Sequence, residues 1–144
     1  MELPFRRVRP EGELPGAQHP GDAGLDLRAA VDAVVAPGER AMIPTGVAVA
    51  IPEGHAGLVL PRSGLAARQG LTLANAPGLI DAGYRGEVIC AVVNLDPVKK
   101  VEIRVGDRIA QLVIVAVPEL IPAWAEDLPP SPRGEDGFGS TGTS

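Results

Sequence analysis

The 144-residue sequence predicts an all-β fold, a sandwich or jelly-roll barrel of many short strands. Three observations carry this. The 18 Gly and 15 Pro, almost a quarter of the chain with no collagen-like period, cut it into short elements and exclude long helices. The apolar residues are aliphatic: 16 Val, 8 Ile and 14 Leu stand against four aromatics, and branched Cβ atoms pack well on a pleated surface. Turn signals also recur at short spacing, at Pro37-Gly38, Pro52-Glu53-Gly54, Asp96-Pro97 and Gly106-Asp107.

The elements follow in order. GDAGLDL at 21–27 is a Gly-rich approach to a strand. VAVAI at 47–51 places Val47, Val49 and Ile51 on one face and small alanines on the other. GLVL at 57–60 is a short buried run. One helix is predicted from Ser63 to about Gln69, with Ser63 as N-cap and Gly70 at C′. VICAVVNL at 88–95 and IAQLVIVAV at 109–117 are continuously apolar, as strands covered on both faces would be. Between them VEIRV at 101–105 alternates, with Val101, Ile103 and Val105 inward and Glu102 and Arg104 outward. Residues 1–118 therefore read as a β body. Beyond Pro118, IPAWAEDLPPSPRGEDGFGSTGTS loses all apolar periodicity, and residues 119–144 read as an arm. No internal repeat or coiled-coil heptad occurs.

Composition excludes several functions. A net charge of −5 provides no basic surplus for gripping a nucleic-acid backbone. One cysteine, Cys90, and two histidines assemble neither a disulfide nor a thiolate–imidazole zinc cluster. The first sixteen residues lack a signal-peptide apolar run, and no stretch approaches the ~20 apolar residues of a membrane helix. A cytoplasmic protein is expected, with neither nucleic acid nor membrane as partner.

Several residues have both a structural and a chemical reading. PRSG at 61–64 is a strand end running into a capped helix, or a phosphate site where helix N–H groups join Arg62 and the Ser63 hydroxyl. In NAPGLIDAGYRGE, Asp81 is either an Asx-turn cap or a carboxylate that takes a proton from water. Tyr84 packs beside that turn. Asn75, both donor and acceptor, satisfies a loop or reads an amide-like base edge. Asp26, between Leu25 and Leu27, points away from their face, either into solvent or into a cleft where a carboxylate holds Mg²⁺ through its waters. Arg108 and Gln111 sit on a long apolar strand, where Gln111 needs a structural partner or a ligand. A Gly/Ser/Thr/Pro-rich end is ordinarily disordered. Yet Arg133, Phe138 and Gly139-Ser140-Thr141-Gly142 also suit a nucleotide lid, with a ring to stack on a base and donors for phosphate. The chain has no Walker A loop.

Taken in order, AGLDL, PRSGLA, GLIDAGYRGE with Asn75 upstream, RIAQL and RGEDGFGSTG give the sequence a resemblance to the homotrimeric dUTPases. It spans about residues 21–142. The resemblance implies a β jelly roll of the β-clip kind, with three active sites shared among three copies and the arm closing over a neighbour. It implies Mg²⁺-assisted hydrolysis of dUTP to dUMP and pyrophosphate, which keeps uracil out of DNA and supplies dUMP for thymidylate synthesis. Asp81 would then activate the water that attacks the α-phosphorus. Asn75 and the backbone through Leu79 and Ile80 would pair with uracil, while Tyr84 under the deoxyribose would exclude a 2′-hydroxyl. Arg62, Ser63, Gly64, Arg108 and Gln111 would serve the phosphate chain, and the Ile89 backbone matches a further family contact. Asp26 would hold waters of the Mg²⁺. Arg133, Ser140 and Thr141 would grip the γ-phosphate, with Phe138 and Gly139 closing over uracil.

The sequence departs from the family at Asp136, where a glycine is usual, and that carboxylate is expected to face solvent. Asp22 is assigned no function. Two other classes compete. The related dCTP deaminases share the fold but would need an acid/base residue beside the base ring. A non-catalytic jelly-roll binding protein would have no use for both Asp81 and Asp26.

Overall fold

The computed structural model describes residues 1–139 and 142. In chain order the elements are β1 (Phe5–Arg7), β2 (Leu25–Arg28), β3 (Ala33–Val35), β4 (Arg40–Val49), β5 (His55–Leu60) and α1 (Ser63–Gln69). They continue with β6 (Leu71–Leu73), β7 (Gly78–Ile80), β8 (Glu87–Asn94), β9 (Val101–Ile103) and β10 (Arg108–Ala116). Two four-stranded sheets, β1-β4-β8-β6 and β2-β10-β5-β7, and a β3-β9 ribbon make up the jelly roll. Every strand pair is antiparallel.

Both sheets contribute to one aliphatic core. Ile43, Val49, Cys90 and Val92 come from the first, and Leu27, Val59, Ile80 and Leu112 from the second. Val35, Val101 and Ile103 bring in the ribbon. Burying each such side chain removes enough apolar surface from water to contribute about 1.5–3 kcal/mol. The one fully buried amide, Asn94, ties the pieces together. Its Nδ2 donates to the carbonyls of Val35 (3.0 Å) and Lys99 (2.8 Å), and its Oδ1 accepts from the Asp96 N–H (2.9 Å).

Several boundaries differ from the sequence reading. The strand expected at 47–51 starts at Arg40 and ends at Val49. Pro44 and Gly46 lie inside this strand and are absorbed by a register shift between Pro44 and Ala48 opposite β8. Gly46 adopts φ +75°, and an added Cβ there would lie 2.6 Å from Gly12 Cα, so the position requires glycine. The alanine face is not open either, since Ala48 is buried. In VEIRV the strand stops at Ile103 and Val105 is exposed. The chain turns there because the Asp107 carboxylate accepts the Arg104 N–H (2.9 Å) and Asp32 accepts the Val105 N–H (2.8 Å).

The helix has its expected span, and Gly70 ends it at φ 73°. Its N-cap residue, however, is Arg62 rather than Ser63, with no side-chain cap bond: Arg62 is still extended after Pro61, so Ser63 becomes the first helical residue. In β8, expected to be covered on both faces, Val88, Cys90, Val92 and Asn94 are buried while Ile89 is 44% exposed. Only one face of that strand meets the core of its own chain. No helix among the described residues is long and apolar enough to cross a membrane.

Candidate functional site

Two cavities collect most of the singled-out residues. The first, of about 300 Å³, opens beside β7 and β8 and is lined by Asn75, Leu79, Ile80, Tyr84 and Ile89, with Leu73, Gly78 and Cys90 among the others. Its floor is apolar because alternate residues of β7 and β8 turn inward: Gly78 and Ile80, then Val88 and Cys90. Polar groups lie at the rim, where Asn75 is exposed on the loop before β7. Burial pushes the Cys90 thiol up to about 12, so it remains protonated and unreactive.

Tyr84 closes one side. Its hydroxyl donates to the Glu87 carbonyl at 2.9 Å, and the ring lies so close over Gly86 that a Cβ there would fall on the phenol. The turn that carries it is held by the Tyr84 N–H donating to the Asp81 carbonyl at 3.1 Å. Arg85 reinforces it by donating to the carbonyls of Ala82 (2.6 Å) and Tyr84 (3.0 Å). Asp81 itself stands exposed at the head of this turn. Its backbone serves the turn, leaving the carboxylate for solvent or a ligand.

The second cavity, of about 370 Å³, is polar and lies against β2, β10 and the start of α1. Asp26, Arg62, Ser63, Gly64 and Gln111 line it, together with Gln18, Asp22 and Gly24. Asp26 sits directly opposite Gln111 across the β2–β10 ladder, which puts the two side chains on one face. As the alternation predicts, Leu27 turns into the core and Asp26 the other way, with only 14% of its side chain exposed. Two guanidinium groups flank it, Arg62 Nε and Arg108 Nη1, each 3.7 Å from a carboxylate oxygen. Arg62 also donates to the Arg108 carbonyl at 3.3 Å. The partner Gln111 needed is structural: its Nε2 donates to the Pro61 carbonyl at 3.0 Å, leaving Oε1 as an acceptor.

These two groups of residues do not converge within one chain. In the sheet order β2-β10-β5-β7, the strand bearing Asp26 and the strand bearing Leu79 occupy opposite edges. That is three strand spacings, or about 14 Å. Asp81 lines neither cavity. Arg133, Phe138 and Gly139 lie on the arm, which carries no strand or helix from 117 to 139 and leaves Phe138 fully exposed. Asp136 faces solvent; its carbonyl accepts from Arg133 Nε at 2.6 Å and its N–H donates to the Arg133 carbonyl at 3.4 Å, so its engagement is through the backbone. Ser140 and Thr141 lie outside the described residues.

Three residues that the sequence reading passed over belong to these surroundings. Glu87 lines the first cavity and is paired with Arg9, and Gln18 contacts Arg108 beside the second. Glu87 does carry a signal, as an acid opening an otherwise apolar strand. Arg9 and Gln18 are in loops whose position depends on the fold.

No group of three or more metal-binding side chains occurs among the described residues, so a cation caged by protein alone does not fit. A hydrated Mg²⁺ carried by phosphates fits better, because it keeps most of its waters and needs about one carboxylate, which Asp26 provides in a polar cavity.

Comparison with known proteins points the same way. Residues 10–142 match the family model for dUTPase. The deoxyuridine 5′-triphosphate nucleotidohydrolase of Streptomyces coelicolor is 57% identical over 142 residues, covering 99% of this chain and 78% of that one. Its counterpart from Corynebacterium glutamicum is 54% identical over 136 residues, covering 94% and 91%. Among solved structures, the dUTPase of Staphylococcus bacteriophage 80alpha with dUPNHPP superposes with a TM-score of 0.91 at 32% identity, covering 99% of both chains. A variant dUTPase from phage phi11 of S. aureus, described with a structural Mg(II) ion, gives 0.82 at 30% identity, covering 88% and 98%.

Proposed function

This chain belongs to the dUTPase family, and from that premise we propose that it hydrolyses dUTP to dUMP and pyrophosphate, as a dUTP diphosphatase. The observation that carries the reading is the pair of cavities, one apolar with an amide at its rim and one polar, where Arg62 lines the wall and Arg108 stands 3.7 Å from the Asp26 carboxylate. A nucleoside triphosphate has the same division, a base and sugar at one end and anionic oxygens at the other.

In the first cavity, uracil pairs with the Asn75 amide and the backbone of Leu79 and Ile80. Cytosine presents a donor where uracil has an acceptor, which leaves fixed polar groups unpaired and disfavours it. Tyr84 packs against the deoxyribose and leaves no space for a 2′-hydroxyl, and the Ile89 backbone borders the same nucleotide. In the second cavity, Arg62, Ser63, Gly64 and Gln111 hold the phosphate chain, joined by Arg108 from its position beside Asp26. Asp26 would hold Mg²⁺ through water, and the ion, when bound, neutralises charge on the triphosphate and on the leaving pyrophosphate. Asp81 positions a water and takes its proton as the oxygen attacks the α-phosphorus, and the bond to the pyrophosphate oxygen breaks. On the arm, Arg133, Ser140 and Thr141 grip the γ-phosphate while Phe138 and Gly139 cover the base and exclude bulk water.

As membership of the dUTPase family implies, the complete site is assembled between copies in a homotrimer, and the placement of the Asp26 and Leu79 strands at opposite edges of one sheet, about 14 Å apart, supports that reading. The large apolar side chains Met42 and Leu79, each about two-thirds exposed beside the first cavity, give such copies a surface to bury. The body at 1–118 carries the half-sites and the arm at 119–144 closes them. The enzyme works in the cytoplasm on a small nucleotide and needs neither nucleic acid nor membrane.

The test is pyrophosphate release with Mg²⁺ from dUTP, dCTP, dTTP and UTP in parallel. Hydrolysis of dUTP alone is expected. Ammonia from dCTP without pyrophosphate would move the chain to the deaminases, and silence in both assays would leave a binding protein.

A further inference from the structure

The Glu87 carboxylate has no part in the chemistry above, yet it lines the first cavity with only 15% of its side chain exposed. One oxygen, Oε2, accepts from Arg9 Nε at 2.7 Å and from the Gly46 N–H at 2.9 Å. Gly46 lies inside the register shift of β4, where the ladder to β8 lapses between Pro44 and Ala48. An N–H placed there has lost its ladder partner and needs another acceptor. The Thr45 hydroxyl does the matching service on β8, donating to the Val88 carbonyl at 2.6 Å. The backbone carbonyl of the same Glu87 accepts the Tyr84 hydroxyl. An unbroken run of contacts therefore leads from Arg9, on the N-terminal segment, through Glu87 to the ring at the edge of the cavity.

We propose that Glu87, braced by Arg9, is a positioning residue for sugar selection: it fixes the first residue of β8 so that Tyr84 stands where a 2′-hydroxyl would have to go. This rests on the reading of Tyr84 as the sugar platform. Without the brace, Glu87 loses its charged partner, the start of β8 loosens beside the bulge, and the phenol loses a fixed acceptor. The ring then gives way to a ribonucleotide. Its effect falls on discrimination and not on the attack at phosphorus.

The test compares kcat/KM for dUTP and UTP in Arg9→Met, Glu87→Ala, Glu87→Gln and Tyr84→Ile, with Gly38→Ala as a variant outside the site. Arg9→Met is the safest probe, since Arg9 is an exposed residue on the rim of the fold. The dUTP/UTP ratio is expected to fall at least threefold in Arg9→Met and further in Glu87→Ala. Glu87→Gln should recover part of that loss, because its amide oxygen still accepts from Gly46. Gly38→Ala should leave the ratio unchanged. A purely structural brace would lower both kcat/KM values in parallel and keep the ratio. If Tyr84→Ile lowers the ratio while Arg9→Met and Glu87→Ala do not, the proposal is overturned. If Tyr84→Ile itself leaves the ratio intact, the sugar-platform reading fails and the proposal falls with it.

Discussion

Gly46 and Gly38 adopt nearly the same backbone conformation, φ +75° and +77°, in different surroundings. A Cβ added at Gly46 would meet the Gly12 Cα at 2.6 Å, the Gly12 nitrogen at 2.9 Å and the Ala30 Cβ at 3.3 Å. At Gly38 it would meet nothing within 4 Å. Alanine at Gly38 therefore carries only the left-handed backbone penalty, about 1–2 kcal/mol. Alanine at Gly46 carries that penalty and an overpacking term of about 1–3 kcal/mol, because backbone atoms of Gly12 have no rotamer by which to retreat. The overpacking also presses on two hydrogen bonds, Val8 N–H to the Gly46 carbonyl (2.8 Å) and Gly46 N–H to Glu87. Gly46→Ala should thus be less stable than Gly38→Ala by about 1–3 kcal/mol, or roughly 3–10 °C in Tm for a chain of this size. Thermal and urea unfolding of both variants at matched protein concentration, which holds any concentration-dependent shift in the midpoint equal, measures the difference. Equal losses within about 0.5 kcal/mol, the usual margin for independent sites, would refute the contact argument and leave backbone conformation as the whole effect.

Other outcomes follow from the same structure. Asp81→Asn should bind dUTP normally and lose about 10²–10⁴-fold in kcat, the usual worth of a general base; an active variant in single-turnover hydrolysis would remove Asp81 from that role. Asp136 faces solvent, so Asp136→Gly should change kcat/KM by less than about tenfold, a span of 1.4 kcal/mol, and a larger gain would mean the carboxylate hinders the lid. Cys90, buried and held protonated up to about pH 12, should resist thiol reagents at pH 8 until the protein unfolds. Labelling of the native enzyme at the rate of a free thiol would show that the β8 core opens.

Much of the fold is legible in the residues because strand formation there is local. The Val- and Ile-rich runs at 88–95 and 109–117, the Gly/Pro turns and the Ser63–Gln69 helix all record period, propensity and punctuation. The misreadings have one physical origin. The strand reads from Val47 in sequence, and only the opposing β8, with Glu87 and Thr45 filling the gap, carries it back through Gly46 and Pro44 to Arg40. Val105 looks like a third inward residue until Asp32, seventy-three positions away, takes its N–H and turns the chain. Asn94 looks like the end of an apolar run; two of its side-chain hydrogen bonds are to the turn that follows, but the third, to the Val35 carbonyl, reaches a segment it meets only when folded.

The site divides along the same line. The sequence alone determined the aliphatic all-β class, the five ordered motifs and the side chains able to bind a base, phosphate and water, because residue identity and spacing are local properties. Tertiary structure decided that Asn75, Tyr84 and Ile89 line one cavity and Asp26, Arg62, Ser63 and Gln111 another, that Asp81 lines neither, that Gln111 is tied to Pro61, and that Glu87 links Arg9 to Tyr84. Strand order and ladder register arise from pairings between distant segments, and no short window of sequence contains both partners of such a pair.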